Sequence, residues 1–563
     1  MGAPRFTPYA GDRYLNFAEV EAWLHAAVAA LPRWASLQRI GDSLQGRPIW
    51  LLTIGDHQDH PERKPTFWMD GATHAAEWTG VMACVYTASR WLAALSEGDA
   101  ATLANFQATT AVIVPVISPD GFHALCEGEP FLRSTLRPPV PGTLRTGLSP
   151  RDMDGDGCVR KMRWKHPSGP WIDDPAHPHA MRPRTLDDDP EDAWILCDEG
   201  ELLRWDGVSW VFAAREHGVD LNRNFPGHWE PFQMFGMHGG AYTLSEPESR
   251  AVVDAFAARP TVGAALTCHT YTGCLLTQPY RDPSPLGTLD VELMERMGKL
   301  CVDGTGYRVI RTHPDFVYDP KRAIVGVWAD TISTTFGVPG YTLELWDPYA
   351  YCGLKLEKPA EAFVKPDAGM IQQMISRFAE DPGANLPWTP FEHPQLGPVE
   401  VGGLDYMRTI RNPPVAKLAE ECDKGYRIAE RMRRALPRLG VQLQSAAVGA
   451  ETHVLTAIFE NLGFLSTVGL ERAAAIGLDP GTLVSLALEG SVRCVEGELE
   501  RNLGHLDGWG LQLVTNARHG VYADVPARGH RAPLRWVLVG RGQVHLRWKG
   551  RLTGDGEATI EVG

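Results

Sequence analysis

The pattern of apolar and polar positions predicts alternating strands and helices in the N-terminal part of the chain. Residues 16–31 place apolar side chains on one helical face, and Asn16 with Glu19 forms a capping box at its start. Residues 78–95 predict a second, buried helix. Runs rich in apolar and β-branched residues predict buried strands at 48–54, 66–69, 110–117, 262–267 and 341–345. The alternation indicates an α/β sheet, in which ligands lie beyond the carboxyl ends of the strands.

The rest of the chain departs from this pattern. Residues 164–217 are rich in proline, acidic residues and tryptophan, which predicts an insertion on the sheet. Residues 385–412 begin with a proline-rich passage and are predicted to form a linker. Residues 413–563 predict a helix and then short β-runs between turn residues, the pattern of a small all-β sandwich. We therefore expect one domain at 1–384 and an accessory domain at 413–563.

Composition narrows the class of protein. The 563 residues are 44% hydrophobic and 22% charged, as in ordinary globular proteins, and the net charge of −15 argues against a nucleic-acid partner. No apolar run approaches the ~20 residues that span a bilayer, so no membrane partner is expected. No secretory signal is visible, which makes a cytoplasmic location the default and leaves secretion open. The ten cysteines form no C-x-x-C pair and predict reduced thiols. The oligomeric state stays open.

Candidate metal ligands follow two of the predicted strands. His74 and Glu77 are three residues apart, and an imidazole nitrogen with a carboxylate at this spacing can bind one Zn²⁺. Because the chain has 19 histidines, such a pair also arises by chance. A catalytic zinc needs a third ligand, for which His269 at a strand end is the candidate. Glu344 stands inside an apolar run, either facing solvent or held in a cleft as a base.

A second motif lies at residues 218–226. Arg223 offers a planar fork that binds a carboxylate, and Asn222 adds a donor beside it. Asp220 fits a group that orients a zinc-bound histidine through its other ring nitrogen. The alternative is a polar turn held by its own side chains.

The acidic residues Asp152, Asp154 and Asp156 alternate as at the start of a Ca²⁺ loop. The glutamate that would complete such a loop is missing, since Lys165 and its neighbours stand there. A calcium-stabilised turn and a solvated acidic turn are equal alternatives.

Taken in order, these segments resemble the zinc metallocarboxypeptidases of the pancreatic carboxypeptidase A type, in a bacterial multidomain form. The resemblance covers roughly residues 14–378, and seven motifs in register are hard to produce by chance. The segments are H-A-A-E-W at 74–78, P-D-G-F at 119–122, R-K-M-R at 160–163, V-D-L-N-R-N at 219–224, S-E-P-E at 245–248, H-T-Y at 269–271 and Y-T-L-E-L at 341–345.

The resemblance implies a mixed central sheet flanked by helices and a peptidase that hydrolyses the C-terminal peptide bond. It also implies a role for each matching residue. These residues are His74, Glu77 and His269 for zinc, Glu344 as general base, Arg160 to polarise the scissile carbonyl, Asp220 behind the zinc ligands, and Asn222, Arg223 and Tyr271 for the substrate.

The chain departs from the family pattern at three positions. Ala76 replaces the arginine usually found just before the zinc-ligand glutamate, which weakens one contact to an incoming substrate carboxylate. The mobile tyrosine that closes over the substrate has no match at the standard spacing, where Arg322 stands, and Tyr318 is the nearest candidate. The residue that sets side-chain preference, just before Asp330, is Ala329, which leaves specificity open.

Three alternatives share some of these features. A zinc-dependent N-acyl amino acid deacylase, similar to aspartoacylase and succinylglutamate desuccinylase, also carries a D-L-N-R segment, but its zinc motif typically reads H-G-N-E. A murein-peptide carboxypeptidase would use the same chemistry. A non-catalytic binding protein is disfavoured by the intact ligands and Glu344. The expected partner is a peptide or N-acyl amino acid with a free C-terminal carboxylate.

Overall fold

The computed structural model describes residues 6–129, 131–137, 144–177, 179–208, 210–213, 218–234, 237–319, 322–364, 367–511 and 529–563. Within these ranges, a mixed sheet of eight strands forms the centre of the N-terminal part. In spatial order the strands are Ala35–Asp42, Pro48–Ile54, Thr110–Val114, Thr66–Gly71, Val262–Thr270, Gly340–Leu345, Cys274–Thr277 and Arg308–Arg311. The four strands in the middle of this order are parallel, so their carboxyl ends meet at one edge.

Helices cover both faces of this sheet. Along Thr66–Gly71, Phe67 and Met69 belong to one hydrophobic core and Trp68 to the other, because alternate side chains of a strand point to opposite faces. The predicted α/β fold with a mixed, helix-flanked sheet is confirmed. The helices before residue 384 are Phe17–Ala30, Trp78–Glu97, Ala100–Ala108, Pro119–Cys126, Pro247–Ala257, Thr288–Val302, Thr312–Asp315, Trp328–Phe336, Pro348–Tyr351, Glu361–Val364 and Ala368–Phe378.

The predicted insertion and the predicted linker form one further sheet. Its strands, in spatial order, are Asn385–His393, Gly397–Leu404, Lys161–Lys165, Trp194–Asp198, Trp171–Asp173 and Met181–Pro183. The linker prediction for 385–412 is therefore wrong over most of its length. The prediction relied on Pro387 and Pro390, which lack an N–H group. The strand Asn385–His393 is at the edge of its sheet, where such residues are tolerated. Residues 214–217, at the end of the predicted insertion, lie outside the described residues.

The helix Val415–Arg434, which we call the tail helix, packs into the core of the N-terminal part. It lies against Trp78–Glu97, which we call the motif helix, and Trp91 Nε1 donates to Glu430 Oε2 at 2.8 Å. The side chains of the tail helix that are fully buried in this core are Leu418, Cys422, Ile428, Ala429 and Met432. The expected boundary at 413 therefore separates a helix from the core to which it belongs.

The β-rich region begins at Leu439. It contains two four-stranded antiparallel sheets within the described residues, and they share a core that includes Phe459, Leu486, Trp536 and Leu546. One sheet has the order Leu439–Ala447, Thr452–Asn461, Arg531–Val539, Arg493–Glu496, and the other Glu500–Asn502, Leu483–Leu488, Gly542–Gly550, Gly554–Val562. A short helix, Glu471–Ala475, precedes the second sheet. Among the residues described, no helix combines the length and apolarity needed to cross a membrane.

Candidate metal centre and substrate cavity

Three buried side chains converge at the carboxyl edge of the central sheet. His74 and Glu77 lie between the strand Thr66–Gly71 and the motif helix. His269 lies near the end of the neighbouring strand Val262–Thr270. Glu77 Oε1 is 2.9 Å from His74 Nδ1, and Glu77 Oε2 is 2.8 Å from His269 Nδ1. The sheet therefore brings together the three residues expected to bind zinc.

The convergence depends on a close contact between the motif helix and the strand of His269. Gly80, in the first turn of the helix, faces the backbone of Cys268, and a Cβ at Gly80 would lie 2.7 Å from the Cys268 carbonyl oxygen. A side chain larger than hydrogen would therefore push the helix away from the strand. Glycine at this position keeps Glu77 within reach of His269.

The donor set fits a zinc ion. His74 Nε2 is 3.1 Å from Asp220 Oδ1, so the ring proton is held there and Nδ1 presents a lone pair. His269 Nδ1 is 3.1 Å from His74 Nδ1, and two lone pairs at this distance repel each other unless a proton or cation joins them. Two imidazole nitrogens and one carboxylate form a set that catalytic zinc accepts, with a further position left open.

The surrounding charges keep both carboxylates of this centre ionised. Burial alone would raise the pKa of Glu77, but the two histidines and Arg411 outweigh it and hold the pKa well below its usual range. Burial also opposes ionisation of Asp220, and Arg133 and His74 hold its pKa well below the usual value. Glu77 can therefore act as a ligand, and Asp220 can accept the ring proton of His74.

Glu344 lines the cavity beside the metal-binding residues. It stands in the strand Gly340–Leu345, directly opposite His269 in the parallel pairing. Burial, together with the negative charge of Glu77, raises the pKa of Glu344 to about 7. A carboxyl group whose pKa lies near neutrality can take up and release a proton during a reaction.

Asn222 and Arg223 line the same cavity from the short turn Leu221–Arg223. Asn222 Oδ1 accepts from the Trp328 backbone N–H at 3.0 Å, which fixes the turn against the helix that Trp328 begins. Arg223 is buried, and its Nε has no partner among the described residues. A buried guanidinium with an unused N–H group is a binding site for a carboxylate oxygen.

The structure does not bring Arg160 to this cavity. Its Nε donates to Asp156 Oδ2 at 2.7 Å, and its side chain lines a separate cavity beside Trp78. Arg133 and Arg411 stand at the metal centre instead. Arg133 Nε donates to Asp220 Oδ2 at 3.1 Å. Neither arginine belongs to one of the motifs. In the sequence, each is distinguished only by standing in a partly apolar segment.

The other expected substrate residues surround the cavity at different depths. Tyr318 lines it, whereas Tyr271 is buried against Phe363 with ring centroids 5.1 Å apart. Ala329 is fully buried in an apolar cluster, behind the cavity-lining side chains of Leu276, Ile324 and Val327. Asp330 is also fully buried and accepts hydrogen bonds from Gln278 and His228. Beside these apolar side chains, the uncharged polar residues Tyr280, Thr312 and Thr342 also line the cavity.

In the acidic loop at 152–158, carboxylate side chains accept hydrogen bonds from the loop's own backbone N–H groups. Asp152 accepts from the N–H groups of Gly155 and Gly157, and Asp156 accepts from the N–H of Cys158 and from Arg160. The carboxylates of Asp152, Asp154 and Asp156 lie close enough to hold a cation, but these bonds already explain their positions. Nothing else in the part of the chain that the structure describes supports a calcium ion here.

Comparisons with known proteins agree with the site. The family model described as zinc carboxypeptidase matches residues 20–374, and a domain of unknown function matches 441–561. Carboxypeptidase B of Helicoverpa zea is 28% identical over 133 residues, which are 24% of this chain and 29% of that protein. An inactive metallocarboxypeptidase of Ajellomyces capsulatus is 27% identical over 114 residues, covering 20% of this chain and 19% of the relative.

The aligned part thus spans less than a third of the length of either relative. Among solved structures, thrombin-activatable fibrinolysis inhibitor aligns with a TM-score of 0.40 at 16% identity, covering 67% of this chain and 76% of the other. The zinc carboxypeptidase family model matches more than half of the chain, and it spans His74, Glu77, His269 and Glu344. The chain belongs to the zinc carboxypeptidase family.

Proposed function

We propose that this protein is a metallocarboxypeptidase that removes C-terminal residues from peptides. The observation that carries the proposal is the convergence of three features on one cavity. These are the metal-binding triad, the carboxyl group of Glu344 and the buried guanidinium of Arg223. An exopeptidase needs a positively charged side chain that binds the terminal carboxylate of its substrate, and an endopeptidase does not. Release of the C-terminal amino acid from a peptide with a free carboxylate, measured with and without added Zn²⁺, tests the proposal.

The residues of the chain divide the reaction between them. Zn²⁺ held by His74, Glu77 and His269 would supply a Lewis acid to the scissile carbonyl and to water. Glu344 takes the proton from the attacking water and later gives it to the leaving amine. We assign the stabilisation of the carbonyl oxygen to Arg133, because Arg160 lies elsewhere.

The remaining roles concern orientation and closure. Asp220 holds the ring of His74 by accepting its Nε2 proton. Asn222 and Arg223 bind the terminal carboxylate, and Tyr318 is our candidate for the tyrosine that closes over the substrate. Tyr271 packs on Phe363, which lines the cavity, and so helps to hold the cavity wall in place.

Replacing Arg223 by alanine should raise KM at least about tenfold for peptides with a free C-terminus, with a smaller change in kcat. A charge-assisted hydrogen bond to a buried carboxylate contributes more than an ordinary one, and its loss weakens binding of the substrate. Steady-state kinetics on one peptide series measures the effect. Arg160→Ala is the matched control and should change KM less than threefold. If the wild-type protein cleaves C-terminally amidated and free peptides equally well, Arg223 does not bind the terminal carboxylate.

Peptides ending in leucine or phenylalanine should be cleaved at least about ten times more efficiently than peptides ending in lysine or aspartate. Leu276, Ile324 and Val327 form part of the cavity lining, and the buried carboxylate of Asp330, beside them, is already bonded to Gln278 and His228. Burying an unpaired charge in such surroundings costs several kcal/mol in lost hydration. Release of the terminal residue from a peptide library gives kcat/KM for each side chain. Equal rates for leucine and lysine would contradict the apolar assignment.

An N-acyl amino acid deacylase remains the alternative, since its substrates carry the same free carboxylate and the chain has the D-L-N-R segment. A panel of N-acyl amino acids and peptides, including murein peptides, compares the two on one protein sample. We expect peptides to have the higher kcat/KM. Turnover of N-acyl amino acids alone would assign the protein to the deacylases.

A further inference from the structure

A segment outside the matched family region reaches the metal centre. The zinc carboxypeptidase model ends at residue 374, and the turn Met407–Arg411 lies beyond it. Asn412, the next residue, ties this turn to the zinc motif. Its Oδ1 accepts from the backbone N–H and the hydroxyl of Thr79, each at 3.0 Å, and its Nδ2 donates to the carbonyl of Ala76 at 2.9 Å. These bonds hold the segment on both sides of Glu77.

Arg411 enters the catalytic cavity from this segment. It is 3% exposed, and its Nη2 donates to Glu77 Oε1 at 2.9 Å. Its guanidinium also lies 5.8 Å from the ring of Phe131 and 5.7 Å from that of Tyr271. The Nε of Arg411 is buried and has no partner among the described residues. A buried N–H group without an acceptor is costly, so this one is suited to an oxygen atom brought by a ligand.

Arg411 lies beside a position at which this chain lacks an arginine of the family pattern. Where the family pattern has an arginine before the zinc-ligand glutamate, this chain has Ala76, which is fully buried. The Ala76 carbonyl is bonded to Asn412, so Arg411 is held directly beside the position that lacks the arginine. The chain therefore places a guanidinium beside the zinc motif from a different part of its sequence.

Arg411 and Arg223 occupy different surroundings within the cavity. Arg223 lies over Phe232 and donates to the carbonyl of Asn222, whereas Arg411 lies between Glu77 and the ring of Tyr271. Because Arg411 is bonded to Glu77 and Arg223 is not, we infer that a substrate with its carboxylate at Arg223 and its scissile carbonyl at the metal centre would extend past Glu77 in the N-terminal direction. The next backbone carbonyl in that direction is an acceptor for the unused N–H of Arg411.

We propose that Arg411 is a substrate-binding residue, which donates a hydrogen bond to the first carbonyl upstream of the scissile one. This inference rests on the proposed carboxypeptidase activity. It implies that the site prefers peptides of at least three residues, or blocked dipeptides, over substrates without an upstream carbonyl.

A pair of substrates tests this contact. One is an N-acetyl dipeptide, which has the upstream carbonyl. The other is an N-alkanoyl amino acid with the same C-terminal residue and scissile amide but no further carbonyl. For Arg411→Met we expect kcat/KM to fall about 10- to 100-fold on the N-acetyl dipeptide, mainly through KM, and less than threefold on the N-alkanoyl amino acid. Arg408→Met, on the same turn but outside the catalytic cavity, should affect neither substrate.

The outcomes separate contact with substrate from support of the metal site. Equal losses on both substrates, with one zinc per chain retained, would show that Arg411 only positions Glu77, and no loss on either would also overturn the proposal. If Arg411→Met does not fold or loses zinc, Arg411→Lys decides by the same comparison, with a selective loss of about three- to tenfold expected. If the wild type cleaves neither substrate, the proposed carboxypeptidase activity fails instead.

Discussion

Replacing Glu344 by glutamine is expected to lower kcat by about a thousandfold or more while leaving the zinc content unchanged. Glutamine has nearly the same shape but cannot accept the proton from the attacking water, and a general base contributes about 10²- to 10⁴-fold to the rate. Because Glu344 is not among the metal-binding residues, the metal should stay in place. Single-turnover kinetics with metal analysis on the same sample measures both quantities.

The control for this substitution is Glu380→Gln, an exposed exchange of the same type. It should keep full activity. Residual activity above a tenth of wild type in Glu344→Gln would remove Glu344 from the reaction. The pKa of about 7 describes the chain without metal, and the charge of Zn²⁺ would lower it, so the acid limb of kcat/KM should lie below pH 7.

Removing the metal should abolish activity and also destabilise the fold. Without a cation, the Nδ1 atoms of His74 and His269 lie 3.1 Å apart beside the carboxylate of Glu77 with no metal to join them. A ligand bound at a thousand times its Kd stabilises the native state by about 4 kcal/mol. We therefore expect treatment with a chelator to lower Tm by several degrees and added Zn²⁺ to restore both Tm and activity.

The variant that tests the same point is His269→Ala, which should retain less than a tenth of the zinc of the wild type. His25→Ala, at an exposed position, is the control and should keep it. Stoichiometric zinc in His269→Ala, measured by metal analysis after gel filtration, would contradict the ligand assignment.

The sequence predicted those residues of the candidate site whose positions depend on neighbouring residues in the same strand or turn. His74, His269 and Glu344 follow or interrupt apolar runs, and the ends of parallel strands meet at one edge whatever the loops do. The helix beginning at Phe17 is also local, since Asn16 and Glu19 form the expected capping box. Such features depend on residues only a few positions apart.

Arg133 and Arg411 could not be predicted, in contrast to Arg223, because their positions depend on packing between distant segments. A motif match favoured Arg160, but the neighbouring Asp156 holds it away from the metal centre. Arg133 reaches the centre from a loop, and Arg411 reaches it from the turn that follows the strand Gly397–Leu404. The linker prediction failed for a similar reason, because the prolines at 387 and 390 are compatible with an edge strand once a neighbour is available on the other side.

The tail helix has a consequence for the order in which the protein folds during synthesis. The three candidate metal ligands and Glu344 are synthesised before residue 345, but at that point the motif helix still lacks the apolar partner that Leu418, Ile428 and Met432 provide. The apolar face of the motif helix is therefore fully covered only after the chain has grown past Arg434. We expect a chain that ends before Val415 to leave this face exposed and to fold less stably, even though it retains every residue of the candidate metal centre.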